Sequence, residues 1–239
     1  MLKRFQTDSK RRLIVAGLAS VLALAACNNG ENKATSHSGE AQSSFEIEND
    51  HAIGNPNAKV TVVEYASVTC GHCANFHETV YGDFKTKYID SGLVRFVFRE
   101  FPTAPQNIAQ AGFLLANCAD DERFFDAISL QFKRIGQIRQ DPRGELVKIA
   151  RSAGLSEADF ETCLQNEEEI EKYKTKVQYG QDAGVTGTPS FFINGEKVQK
   201  TASGKALYTL ETWDEVLAPL LGDDAPAPEA KVDDESPAE

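Results

Sequence analysis

Cys70-Gly71-His72-Cys73 constrains this chain more than any other stretch, because of what stands on either side of it. Before it, Val60-Thr61-Val62-Val63-Glu64-Tyr65 is a run suited to a buried strand, opened by the turn signal Asn55-Pro56-Asn57. After it, Phe76, Val80, Phe84 and Tyr88 recur every four residues and mark one apolar helix face. Ser91-Gly92 ends that helix, and residues 93–98 read as a second strand. The result is a strand, helix, strand unit with Cys70 at the helix entrance. Free backbone N–H groups and the positive dipole end favour an anion there, so a thiolate is stabilised. Cys70, at the exposed end, is the expected attacking sulfur and Cys73, one turn inward, the resolving one. The imidazole of His72, when protonated, would stabilise the thiolate further.

Two other chemistries compete for these residues. Cys70, Cys73, His72 and His77 could hold a metal, but His72 cannot easily turn to the point shared by the flanking sulfurs, and no second C-x-x-C follows. The expectation is therefore no metal and no cofactor. A purely structural Cys70-Cys73 disulfide would constrain little of the unfolded chain, since it closes over two residues. Glu64 shares a strand face with Val60 and Val62, where an isolated carboxylate is costly unless it has a use or a partner. A buried carboxyl with a raised pKa could take the proton of Cys73 during exchange; an edge strand would instead turn Glu64 to solvent.

From residue 102 to 183 the strand signal disappears. Helical faces are marked by Ile108, Ala111, Leu115 and Cys118; by Phe124, Phe125, Ile128 and Phe132; and by Leu146, Ile149 and Ala150. Phe160, Cys163 and Leu164 suggest a short helix, and Ile170, Tyr173 and Val177 another, after the acidic run Glu167-Glu168-Glu169. Strands return at residues 190–193 and 196–198, joined by Asn194-Gly195, a dipeptide suited to a type I′ hairpin. Leu210, Trp213, Val216, Leu217 and Leu220 outline a closing helix. An α/β fold is expected, with residues 45–101 and 184–221 forming one domain and residues 102–183 a helical insertion. Cys118 and Cys163 each fall on an apolar helix face; a bridge between them would close a loop of about 45 residues and contribute about 4 kcal/mol in the chain-entropy model. Unpaired, they would be buried small hydrophobes.

The N-terminus carries Lys3, Arg4, Lys10, Arg11 and Arg12 before an uncharged run over residues 13–26. That run suits the apolar part of a signal peptide better than a bilayer span. Leu24-Ala25-Ala26-Cys27 resembles a bacterial lipobox, in which Cys27 is lipidated and becomes the new N-terminus; cleavage after Ala25 would leave Cys27 as a free thiol. Residues 27–44 hold too little apolar surface to fold and read as a disordered tether, and residues 222–239, with seven acidic groups and three prolines, as a disordered acidic tail. The formal net charge is −11, and loss of residues 1–26 removes five basic groups and one acidic, leaving −15. Such a balance argues against nucleic-acid binding, which needs a basic face. His37, His51 and His77 are expected in the tether or at the surface.

The strand with Glu64, the Cys70-Cys73 pair, the helical block and Gly187-Thr188-Pro189-Ser190-Phe191-Phe192-Ile193-Asn194-Gly195 together resemble the DsbA-like thiol:disulfide oxidoreductases, thioredoxin folds with an inserted helical domain. Thr-Pro about 115 residues after C-x-x-C, at the head of a hairpin, is the specific part of that likeness. The resemblance implies a cis Pro189 beside the redox cysteines and a substrate-contact role for Thr188 and Pro189. From the residues alone Pro189 would be trans, since only about 5–6% of X–Pro bonds are cis. It also implies cysteine-containing exported proteins as substrates, a DsbB-like membrane redox partner, and a periplasm-facing place in the bacterial cell envelope, held by the lipid anchor. Gly-His between the cysteines is similar to the disulfide isomerases of the eukaryotic secretory pathway, so reduction or isomerisation competes with oxidation as the direction. A lipid-tethered, chaperone-like binding module is the reading without turnover.

Overall fold

The computed structural model describes residues 45–226. Cys27, His37, the signal segment 1–26, the tether 27–44 and tail residues 227–239 lie outside the described residues. In chain order the elements are β1 (His51–Ile53), β2 (Val60–Ala66), α1 (Gly71–Thr79), α2 (Tyr81–Phe84), a π-helical turn (Lys85–Ile89) and β3 (Val94–Glu100). Then come α3 (Gln106–Asn117), α4 (Asp121–Lys133), α5 (Ile135–Gln140), α6 (Pro142–Ser152), α7 (Glu157–Cys163) and α8 (Glu167–Asp182). The chain closes with β4 (Ser190–Ile193), β5 (Glu196–Val198), α9 (Leu210–Leu221) and a 3-10 turn (Gly222–Asp224).

The sheet runs in the order β1-β3-β2-β4-β5, with β2 and β3 parallel and the other pairs antiparallel. β2 is central, which is why its seven residues are all buried and why its sequence is nearly unbroken in apolar side chains. Alternation splits those residues between two cores. Val60, Val62 and Ala66 join Phe76, Phe84, Phe191 and Trp213 on one face; Val63 and Tyr65 meet Val97 and Val185 on the other. The ring of Trp213, from α9, lies 4.7 Å from Phe84 and 4.8 Å from Phe191, so the closing helix seals the core beneath α1.

The face expected to run unbroken from residue 76 to 88 is buried at all four positions, yet the helix is not continuous. Residues four apart drift by about 40° per step on a straight α-helix. A break at Val80 (φ −127°) and the wider π-helical turn at Lys85–Ile89 absorb that drift and keep Tyr88 inward. Between β3 and β4 stand the six helices of the insertion. Their starts follow local chemistry: Asp141 caps α6 ahead of Pro142, Ser156 and Asp159 form a capping box on α7, and Asn166 caps α8 with Glu167, Glu168 and Glu169 in its first turn. The hairpin Asn194-Gly195 has φ values of 47° and 83°, the positive pair that a type I′ turn requires.

Three features differ from the expected order. β1 is too short for alternation to reveal, and α5 buries only Ile138, too little for a periodic signal. The backbone also stays ordered past residue 221, in the 3-10 turn, with Ala225 against the core.

Candidate active site

Cys70 caps α1 with its own side chain: its Sγ accepts from the backbone N–H of Cys73 at 3.4 Å. The turn that delivers it from β2 is fixed by hydroxyl contacts. Ser67 Oγ and Thr69 Oγ1 lie 2.9 Å apart, Thr103 donates its N–H to Ser67 Oγ at 3.1 Å, and Thr69 Oγ1 donates to the Thr103 carbonyl at 3.0 Å. On the other side stands the segment before β4. Tyr65 pairs with Ser190, so antiparallel register carries Thr188 and Pro189 past the end of β2 to the mouth of α1. The Thr188-Pro189 bond is cis, as the resemblance implies and against the trans form expected from frequency alone. As a thiol, Cys70 donates to the Thr188 carbonyl at 3.3 Å.

Cys70 and Cys73 are both free thiols with opposite electrostatics. The pKa of Cys70 is lowered to about 5, first by its hydrogen bond with the Cys73 side chain and then by its contact with Thr188 and the backbone N–H groups of Cys73 and His72, against the effect of burial. Burial pushes the Cys73 thiol well up, and its hydrogen bond to Cys70 and the charge of Glu64 push the same way. His72 contributes its backbone N–H and is an exposed residue.

Glu64 is wholly buried, so the solvent-facing alternative does not apply: β2 is central, not an edge. Its Oε2 lies 2.8 Å from His77 Nε2, and the His77 side chain is only 4% exposed. Sequence reasoning therefore misplaced His77. The signal available was its spacing, four residues after Cys73, which puts both on one helix face. His51 is misplaced too: its ring stacks on Phe124 and its Nε2 meets Asn117 Oδ1 at 3.1 Å.

Two features were not read from the sequence. Arg139 of α5 reaches over the rim, its Nη2 3.4 Å from the Thr69 carbonyl. Beside Pro189 lies an open cavity of about 210 Å³, lined by Phe191, Gln199, Ala206, Leu207 and Tyr208, which only the returning chain after β5 assembles. Cys118 and Cys163 form a disulfide remote in sequence from the redox pair, joining the end of α3 to the end of α7.

A thioredoxin family model matches residues 46–212. A Rickettsia conorii protein named as a protein-disulfide oxidoreductase is 35% identical over 156 residues, 62% of this chain and 54% of that protein, so the chain spans about half the length of this relative. Among solved structures, alpha-DsbA1 of Wolbachia pipientis has 27% identity and a TM-score of 0.64, over 75% of this chain and 94% of that one. A protein-disulfide isomerase from Novosphingobium aromaticivorans has 25% identity and a TM-score of 0.59, over 72% and 97% of the two chains. With the family match running from before β1 into α9, and a helical insertion between β3 and β4, this chain belongs to the thioredoxin superfamily and is DsbA-like.

Proposed function

We propose that this chain is a protein thiol:disulfide oxidoreductase and that it runs as an oxidase, donating the Cys70-Cys73 disulfide to exported proteins. The observation that carries this reading is the split between the two thiols, with Cys70 lowered to about 5 and Cys73 pushed up. A stabilised Cys70 thiolate favours the reduced pair, which makes the disulfide a strong oxidant. In the forward step a substrate thiolate attacks Cys70, forming a mixed disulfide while Cys73 departs and takes up a proton. A second substrate thiolate then attacks the substrate sulfur of that bond, and Cys70 leaves as thiolate. The substrate gains a disulfide and the enzyme two electrons.

The Thr188 backbone beside Cys70 offers main-chain pairing to an extended substrate segment, and the cavity next to Pro189 receives a side chain flanking the substrate cysteine. Reoxidation would fall to a DsbB-like membrane partner. Lipidation at Cys27 would keep the enzyme at the periplasmic side of a membrane, and no helix among the described residues is long and apolar enough to cross one. Intact mass of the mature protein tests the anchor; an unmodified Cys27 would remove it.

The deciding experiment is the reduction potential of the Cys70-Cys73 pair in glutathione buffers. A value near the ~−120 mV of DsbA supports the oxidase, and one near the ~−270 mV of thioredoxin would make the chain a reductase or isomerase. Cys70→Ser should abolish turnover in either direction; full activity in that variant would leave only a tethered binding module.

A further inference from the structure

Cys73, His77 and Tyr81 follow one another at four-residue spacing and line one face of α1 and α2, turned toward β2. Cys73 and Glu64 are wholly buried, and the His77 ring is enclosed with them. That ring lies 4.4 Å from Phe132 of α4, 4.5 Å from Tyr81 and 6.3 Å from Phe98 of β3, so the helical insertion closes the chamber with an uncharged wall. The titratable groups that face His77 are Glu64 from β2, Tyr81 from α2 and Cys73 from its own helix. Only one contact is made among the polar atoms, His77 Nε2 to Glu64 Oε2. Glu64 Oε1, His77 Nδ1 and the Tyr81 hydroxyl are buried with no hydrogen-bond partner among the described residues. Three such atoms in one chamber call for a function, since buried polar groups are otherwise paired.

We propose that His77 is a positioning residue for Glu64: the two share one proton, and the pair receives the proton that Cys73 loses when it closes onto Cys70. This rests on the oxidoreductase reading and deepens it. A carboxylate alone in this chamber carries a buried negative charge both before and after it takes the proton from Cys73, and an uncompensated buried charge is expensive. With a protonated imidazole beside it, the chamber is neutral in both states, as Glu64 anion and His77 cation with the thiol, then as protonated Glu64 and His77 cation with the Cys73 thiolate. In the closing step the Cys73 thiol gives its proton to the pair and its sulfur attacks Cys70. The Cys70-Cys73 bond forms, the bond from Cys70 to the partner sulfur breaks, and the partner leaves as a thiolate. No further oxidant is required, and the reverse step returns the proton to Cys73.

The test uses the full chain with Cys70 joined to glutathione, following release of reduced glutathione against pH. His77→Gln keeps a donor for Glu64 but cannot carry the proton. It should slow release about tenfold near neutral pH and move the profile upward, toward that of Cys73 ionising unaided. Glu64→Gln should do the same, and the double variant should add little, as expected for residues acting as a unit. Alkylation of Cys70 should keep its pH profile in each, which also reports that the variants fold. An unshifted release profile in His77→Gln would overturn the proposal, as would an equal loss at every pH in His77→Gln and His77→Leu, the mark of packing alone. A wild-type chain that forms no mixed disulfide with glutathione would overturn the oxidoreductase reading together with it.

Discussion

At the scale of single residues, Cys70 is governed by what points at its sulfur. The backbone N–H groups of His72 and Cys73 and the Cys73 side chain come from the start of α1, but Thr188 is brought there by packing. Because the folded pKa is about 5, below the ordinary thiol value near 9, Cys70 alkylation should hold its plateau down to about pH 6 and fall by half near pH 5. Iodoacetamide rates against pH check this; Cys73, pushed up by burial, should stay silent through that range. The same shift has a sign in stability. A depressed pKa stabilises the fold only while the thiolate persists, so the reduced protein should gain stability over the oxidised one as pH rises from about 5 toward 9, and lose it as pH falls through 5. Denaturant unfolding of both redox forms across that window measures it. Cys73 opposes the trend only above the ordinary thiol range.

At the scale of elements, most boundaries were legible and the reasons are local. The hairpin followed from Asn194-Gly195, α8 from the spacing of Ile170, Tyr173 and Val177, and β2 from an apolar run that only a central strand buries on both faces. β1 and α5 were not legible because three and six residues cannot show a period, although both matter: β1 extends the sheet and α5 carries Arg139 to the rim. The Cys118-Cys163 disulfide joins α3 to α7 across 45 residues of sequence. Replacing both cysteines by serine should lower the unfolding free energy by about 2–4 kcal/mol, measured by urea denaturation, and leave the alkylation profile of Cys70 unchanged.

At the scale of the whole molecule, the insertion and the sheet are tied by buried charge as well as by apolar contact. Lys176 of α8 donates to Glu100 of β3 at 2.6 Å and to the Asn49 carbonyl at 3.1 Å, with both charged side chains 2% exposed or less. A neighbouring pair, Arg99 with Asp50, is buried as well, and Arg99 donates to the Tyr65 hydroxyl at 2.7 Å. Lys176→Met leaves Glu100 without its counter-charge and should cost about 3–5 kcal/mol in urea unfolding. Adding Glu100→Leu should recover most of that loss, since removing both charges leaves none unpaired.

The sequence by itself determined which segments become strands and helices, where a thiolate would be favoured, and the likeness to the DsbA-like proteins. Those properties rest on contacts within a few residues: alternation, helical period, turn chemistry and the free N–H groups of a helix start. Only the tertiary structure decided which groups from distant elements meet there. It set the Thr188 carbonyl against Cys70 across the β2–β4 register, turned His77 from the expected surface onto a buried Glu64, and formed the cavity beside Pro189. Partners that come from different elements leave no periodic trace, because they are fixed by how the layers pack and not by the local backbone.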